Sequence, residues 1–138
     1  MKNSRPIMLV EDDVADQVLL KRALSAVDAS AVLLFAGDGE EALGQLKKMK
    51  PDERPCLVLM DLNMPRMNGF ELLKALKEDD SLCVIPVVVL TTSKEKRDIK
   101  KSFTLGAAGY VAKPVDYLQF VELVRVIRQY WSLCELPE

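Results

Sequence analysis

The chain has 138 residues, a normal size for one domain with a real core. Apolar residues make up 49% and charged residues 29%, with a net charge of -2, which fits a soluble globular protein and lacks the basic excess of a nucleic-acid binder. There is no histidine, so Ser-His-Asp and Cys-His catalysis, most zinc sites and any imidazole acid-base role are excluded. The longest apolar runs, such as Val84 to Leu90, fall far short of the roughly 20 residues that cross a bilayer, and no signal-peptide pattern opens the chain. A cytoplasmic protein without a nucleic-acid or membrane partner is the expectation. Cys56, Cys83 and Cys134 are odd in number and form no C-x-x-C, so they read as incidental cysteines in a reducing compartment.

In chain order, short runs rich in Val, Ile and Leu predict strands at Ile7–Val10, Ala31–Ala36, Cys56–Met60, Val87–Leu90 and Tyr110–Ala112. Segments with helical spacing separate them. The first predicted helix buries Leu20, Ala23, Leu24 and Val27, and the third buries Gly69, Leu72, Leu73 and Leu76. Gly37-Asp38-Gly39 turns the chain into the second helix, Pro51 to Pro55 reads as a loop and Gly106 to Gly109 as a turn. Asn68 with Glu71 and Asp116 with Gln119 have capping-box spacing or a close variant of it. The last helix runs from about Tyr117 to Trp131, with Phe120, Val124, Ile127 and Trp131 on one apolar stripe. Leu123, Val126 and Tyr130 widen that arc, as a broad core contact or as a partner or dimer surface. Apolar runs that do not alternate imply burial on both faces, hence a mostly parallel sheet with helices above and below, the doubly wound α/β class. A single domain over residues 1–138 is expected, with its core at about 5–131, a short tail and no output domain.

Four of these runs end at side chains suited to phosphoryl transfer: Glu11-Asp12, Asp61, Thr91 and Lys113. In an open parallel sheet the carboxyl ends of the strands share one edge, where such folds bind ligands, so these residues converge. Each has an ordinary reading by itself. Asp61 is equally a turn former, Thr91 a β-branched strand end and Lys113 a solvated lysine. Together they are specific. Crowded carboxylates are costly without a compensating cation, and Mg2+ prefers oxygen ligands from one or two carboxylates together with phosphate oxygens and water. Lys113 adds a compact positive charge suited to phosphate oxygens, and its place before Pro114 biases it away from helix.

The motifs Leu9-Val10-Glu11-Asp12-Asp13, Asp61-Leu62-Asn63-Met64-Pro65 with Asn68-Gly69, Pro86-Val87-Val88-Val89-Leu90-Thr91 and Gly106-Ala107-Ala108-Gly109-Tyr110-Val111-Ala112-Lys113-Pro114 resemble those of a response regulator receiver domain over nearly the whole chain. The resemblance implies a flavodoxin-like (βα)5 fold with a five-stranded parallel sheet in the order 2-1-3-4-5. It implies Asp61 as phosphoacceptor, Mg2+ held by Asp12, Asp61 and the Asn63 carbonyl, and Glu11 assisting through a bound water. Thr91 and Lys113 would contact the phosphoryl group, Tyr110 would be the aromatic switch, and the Lys113–Pro114 bond would often be cis. The donor would be a phosphohistidine on a sensor histidine kinase, supplied in trans because this chain has none. Thr91 would then move toward the phosphoryl group and Tyr110 into the vacated space, remodelling the surface of the fourth helix, fifth strand and last helix. Charge-assisted bonds are worth about 1.5–3 kcal/mol each, and near-complete reversal of a two-state equilibrium needs about 5.5 kcal/mol, so two such bonds approach it while one does not.

Glu11 stands where aspartate is more usual, and Thr92 where a smaller residue is frequent; Asn63 and Ser93 occupy positions that influence hydrolysis rate in the family. Glu11, the long last helix with Trp131 and the closing Leu136-Pro137 resemble the stand-alone receivers that serve bacterial phytochrome kinases, relatives that tend to form homodimers through the last helix. Three other readings compete. A receiver-fold interaction module without phosphorylation would be expected to lack some of Glu11, Asp12, Asp61, Thr91 and Lys113. An aspartyl-phosphate phosphatase would have a second Asp two residues after the nucleophile, where this chain has Asn63. A nucleotide-binding flavodoxin-like protein would need a longer phosphate loop than Gly37-Asp38-Gly39.

Overall fold

Strands β1 (Ile7–Val10) and β3 (Leu57–Met60) bury every side chain they carry, as unbroken apolar runs at the centre of a parallel sheet must. The structure, a computed structural model, describes residues 5–135; Leu136-Pro137, named above for its resemblance, lies outside them. With β2 (Leu33–Ala36), β4 (Val87–Thr91) and β5 (Gly109–Ala112) these strands form one parallel sheet in the order β2-β1-β3-β4-β5. Helices α1 (Val14–Val27), α2 (Gly39–Lys48), α3 (Gly69–Glu78), α4 (Lys96–Thr104) and α5 (Tyr117–Leu133) alternate with them. The expected flavodoxin-like doubly wound fold is the one observed.

Alternate strand residues point into two separate cores. Ile7, Leu9, Leu57, Leu59 and Val88 meet Leu20, Ala23 and Leu24 of α1 and Phe120 and Val124 of α5. Met8, Val10, Val58, Met60, Val87 and Val89 meet α2 and α3, whose Leu46, Leu72, Leu73 and Leu76 are fully buried. Each such leucine contributes roughly 1.5–3 kcal/mol relative to exposure. Val27, expected in the core, is half-buried where α1 ends.

Element edges shift by one or two residues from the sequence expectation. β2 starts at Leu33 and β3 at Leu57, because the two pairings of β1 begin at Ile7↔Leu33 and Ile7↔Leu57. β4 extends to Thr91 and β5 starts at Gly109, because Thr91 pairs with Ala112 and Val88 with Gly109. The Pro51–Pro55 loop contains a 3-10 turn over Pro51–Glu53, and α5 runs two residues past Trp131. Asn68 and Glu71 form the expected reciprocal capping box. Asp116 accepts from the Gln119 N–H, but the Gln119 side chain accepts from Val115 N rather than closing a box. Among the described residues no helix is long and apolar enough to cross a membrane. Cys56 is buried and Cys83 and Cys134 half-buried, all three as free thiols.

Candidate functional site

Parallel strands deliver Glu11, Asp61, Thr91 and Lys113 to one edge of the sheet. Glu11 follows β1 and is 2% exposed; its N–H donates to Ala36 O at 3.0 Å and its carbonyl accepts from Gln17 Nε2 at 2.6 Å. Asp12 and Asp13 are exposed beside it, and Asp13 is the N-cap of α1, accepting from Ala15 N and Asp16 N. Asp61 follows β3, donates its N–H to Val10 O at 3.1 Å and is 8% exposed. Its Oδ1 accepts from Leu62 N at 2.7 Å and Asn63 N at 3.4 Å. The turn-forming reading of Asp61 and its presentation at the strand end thus both hold, since the turn orients the carboxylate. Gly69 makes that geometry possible: a Cβ there would lie 2.5 Å from the Asp61 carbonyl oxygen.

Lys113 ties the edge together. Its Nζ donates to Glu11 Oε1 at 2.5 Å, Asp16 Oδ2 at 2.9 Å and Asp61 Oδ2 at 3.2 Å. No peptide is cis among the described residues. The Lys113–Pro114 bond is therefore trans, contrary to the expectation above; trans is the form X-Pro bonds favour by about 0.5–1 kcal/mol. Glu11, Asp12 and Asp61 each offer an oxygen within 4.8 Å of the others. Three carboxylates thus surround one ammonium, with the Asp12 carboxylate close to two of them. Burial pushes the Glu11 carboxyl up to about 7, although hydrogen bonds from Lys113 and the Asp13 N–H work against it. Burial also works to lower Lys113, but the hydrogen bonds to Glu11 and Asp16 outweigh it and raise that ammonium. An all-oxygen donor set with surplus negative charge fits a hard divalent cation.

Thr91 joins the cleft by backbone but not by hydroxyl. Its carbonyl accepts from Lys113 N at 2.8 Å, whereas its fully buried Oγ1 accepts from Ser93 N at 3.4 Å. Tyr110 stands apart from the carboxylates: the half-buried ring packs on the α2/α3 core and its hydroxyl donates to Ser93 O at 2.9 Å. Leu123, Val126 and Tyr130 lie on α5, outside this cleft; Val126 and Tyr130 are 54% and 61% exposed and Leu123 is half-buried. Two residues of the site, Asp16 and Arg66, escaped the sequence reading, and Ser93 was singled out there only for hydrolysis rate. Asp16 faces Lys113 from the first turn of α1, and its position three residues after the Asp13 cap was the available signal. Ser93 bridges Thr91 and Tyr110, and its Oγ donates to Asp98 of α4 at 2.6 Å. Arg66 reaches the buried Asp38 across two loops, with no signal in the sequence.

The match of residues 7–125 to the response regulator receiver domain model decides the family. The chain belongs to the response regulator receiver domain family. Among curated relatives this receiver is 34% identical to the probable methanogenesis regulatory protein FilR2 of Methanothrix harundinacea, over 91% of this chain and 82% of that one. It is 35% identical to the response regulator Rcp1 of Synechocystis over 91% and 87% of the two chains. The Mn2+-bound structure of Rcp1 superposes with a TM-score of 0.84 over 97% of this receiver and 99% of that chain. The phosphorylated cyanobacterial phytochrome response regulator RcpA gives 0.87, at 35% identity and the same coverage.

Proposed function

We propose that this receiver accepts a phosphoryl group on Asp61 from a phosphohistidine of a sensor histidine kinase, with Mg2+ bound beside it, and works as a stand-alone cytoplasmic response regulator. The observation that carries this reading is the meeting of Lys113 Nζ with Glu11, Asp16 and Asp61, while Glu11, Asp12 and Asp61 converge within 4.8 Å. A non-phosphorylated interaction module would have no use for that costly grouping of charge.

The Asp61 carboxylate forms the new bond to phosphorus as the P–N bond of the donor breaks, the electron pair leaving with the imidazole. Such a transfer needs in-line positioning and charge neutralisation more than proton transfer. Leu62 N–H and Asn63 N–H fix one oxygen of Asp61, and Lys113 Nζ donates to the other. Asp12, Asp61 and the Asn63 carbonyl, with Glu11 assisting through a bound water, would hold Mg2+, which would supply further neutralisation of the phosphoryl oxygens. Lys113 then exchanges a carboxylate contact for a phosphoryl oxygen. The Thr91 hydroxyl leaves the Ser93 N–H and donates to another phosphoryl oxygen. Since Ser93 also holds the Tyr110 hydroxyl and Asp98 of α4, movement at Thr91 reaches the α4-β5-α5 surface through one residue.

The similarity to RcpA, a cyanobacterial phytochrome response regulator, supports a bacterial phytochrome as the partner kinase. The exposed Val126 and Tyr130 on α5 support a homodimer surface, with Leu123 at its inner margin. Charged residues at 126 and 130 should lower the sedimentation mass while the circular dichroism stays unchanged; an unchanged mass removes that surface from consideration. The central test is intact mass after acetyl phosphate and Mg2+. A single phosphoryl adduct, lost in Asp61→Asn and without metal, is expected. If neither an adduct nor binding of a beryllofluoride acyl-phosphate mimic is seen, the non-phosphorylated module replaces this reading.

A further inference from the structure

The loop from Leu62 to Asn68 contains Arg66 at φ 61, the one residue other than glycine in the left-handed region among the described residues. An L-residue is disfavoured there because its Cβ crowds the following carbonyl. Such residues persist where neighbouring contacts over-determine them, often at functional loops. Here the contact is an ion pair from Arg66 Nη2 to Asp38 Oδ2, on an acid that is 1% exposed and caps α2. Beside it, Gly39 N donates to Met67 O at 3.0 Å, so close that a Cβ on Gly39 would lie 2.7 Å from that oxygen. The other end of the loop is closed by Gly69 N donating to Leu62 O at 3.0 Å. Between these anchors lie Asn63 and the two N–H groups that orient Asp61. The β2-α2 corner contributes no group to the carboxylate cleft, yet it clamps the loop beside it.

We propose that Arg66 and Asp38 are positioning residues for the cation site: their ion pair holds loop 62–68 in the conformation that turns the Asn63 carbonyl and the Asp61 carboxylate toward a shared divalent ion. This rests on the metal-dependent reading above. Neither side chain needs to touch the ion, because both act through the backbone that carries its ligands. Releasing the clamp leaves every ligand present but lets the loop sample other conformations, so affinity falls without vanishing. Replacing Arg66 leaves the Asp38 cap of α2 in place, so the fold survives the test.

Mn2+ is the probe, titrated into the full chain and followed by the electron paramagnetic resonance of the free ion. Arg66→Ala should weaken Mn2+ binding about tenfold, the low end for loss of an outer-shell partner, and Arg66→Lys should recover most of it. Asp38→Asn, which keeps the helix cap, should weaken binding similarly, and the double variant should lose no more than either single one, as expected for two halves of one contact. The control is Arg128→Ala, which breaks the Arg128–Asp28 ion pair far from the loop; it should lower thermal stability and leave Mn2+ binding alone. In metal-free protein, the Leu62 and Gly69 amides should exchange faster in Arg66→Ala and not in Arg128→Ala. Wild-type Mn2+ binding that Arg66→Ala leaves unchanged, or that Arg128→Ala weakens equally, overturns the clamp alone. Wild-type protein with no saturable Mn2+ binding overturns the metal-dependent reading and the clamp with it.

Discussion

Helices α3 and α4 are neighbours of nearly equal length, ten and nine residues, yet they are held in opposite ways. α3 buries Gly69, Leu72, Leu73 and Leu76 and begins with a reciprocal capping box. α4 buries only Ser102, and its N-cap, Glu95, makes no side-chain cap bond, whereas Asp13, Asp38, Asn68 and Asp116 cap the other four α-helices. What holds α4 is mostly polar or peripheral: Ser93 Oγ to Asp98, Ser102 Oγ to the Asp98 carbonyl, and the Lys101 ammonium 4.4 Å from the Phe70 ring centroid. The helix after Asp61 is thus fixed in the core, and the helix after Thr91 rests on few contacts, one of them made by Ser93. Under the proposed function, rigidity stands where geometry must be kept, and weak seating where a signal would leave.

The largest effect that tests this contrast is in the core. Leu73→Ala removes a fully buried side chain from α3 and should cost about 2–5 kcal/mol in urea unfolding. Phe103→Ala on α4, where the ring is 50% exposed, should cost less than about 1 kcal/mol. Equal losses would mean that α4 is as firmly packed as α3, and the contrast would fall.

Next in size is a pH effect centred on Glu11. Burial raises its carboxyl from 4.5 in the unfolded chain to about 7 in the folded one. Between those values the folded state holds a proton that the unfolded state has lost, so folding stability declines as pH rises. Metal-free protein should lose stability from pH 4.5 to 7 with a slope of at most about 1.4 kcal/mol per pH unit, and Glu11→Gln should flatten it. The contrast predicts where this appears in amide exchange. Amides of α3, which open only with the whole domain, should follow the slope; amides of α4, which open locally, should not.

Asn68→Ala should cost about 1 kcal/mol, because it removes the acceptor of the Glu71 N–H from the start of α3. That box was legible from Asn68 and Glu71 alone, as was the α3 stripe, because caps and helical periodicity act within a few residues. Glu11, Asp61, Thr91 and Lys113 were legible for a different reason: each ends an apolar run, and a parallel sheet brings run ends together. Asp16 was not, since an acid in the first turn of a helix is ordinary, and its contact with Lys113 joins residues 97 apart. Arg66 was hidden more deeply, because its role depends on a backbone angle that arginine does not signal. The weak seating of α4 could not be read either: Ile99 and Phe103 keep helical spacing, yet one is half-buried and the other exposed.

The smallest effect is the most direct probe of the end where the proposed switch would act. Glu95→Asp keeps the charge but shortens the side chain to one that caps well, so it should give α4 the acceptor the other helices have. A cap is worth about 0.5–2 kcal/mol. Only a fraction should reach global stability, because α4 can open without unfolding the domain. The exposed Glu95–Arg97 pair, at 2.6 Å, matters little to the balance, since such surface pairs contribute about 0–1 kcal/mol. The expected result is slower amide exchange across Lys96–Thr104 with no change in α3. A further consequence follows if α4 carries the output: the capped helix resists displacement, so beryllofluoride should produce smaller amide shifts in α4 than in wild type while saturating the Asp61 site at the same concentration. Equal shifts in the two proteins would mean that α4 moves as a rigid unit whose seating in the metal-free state does not limit the response.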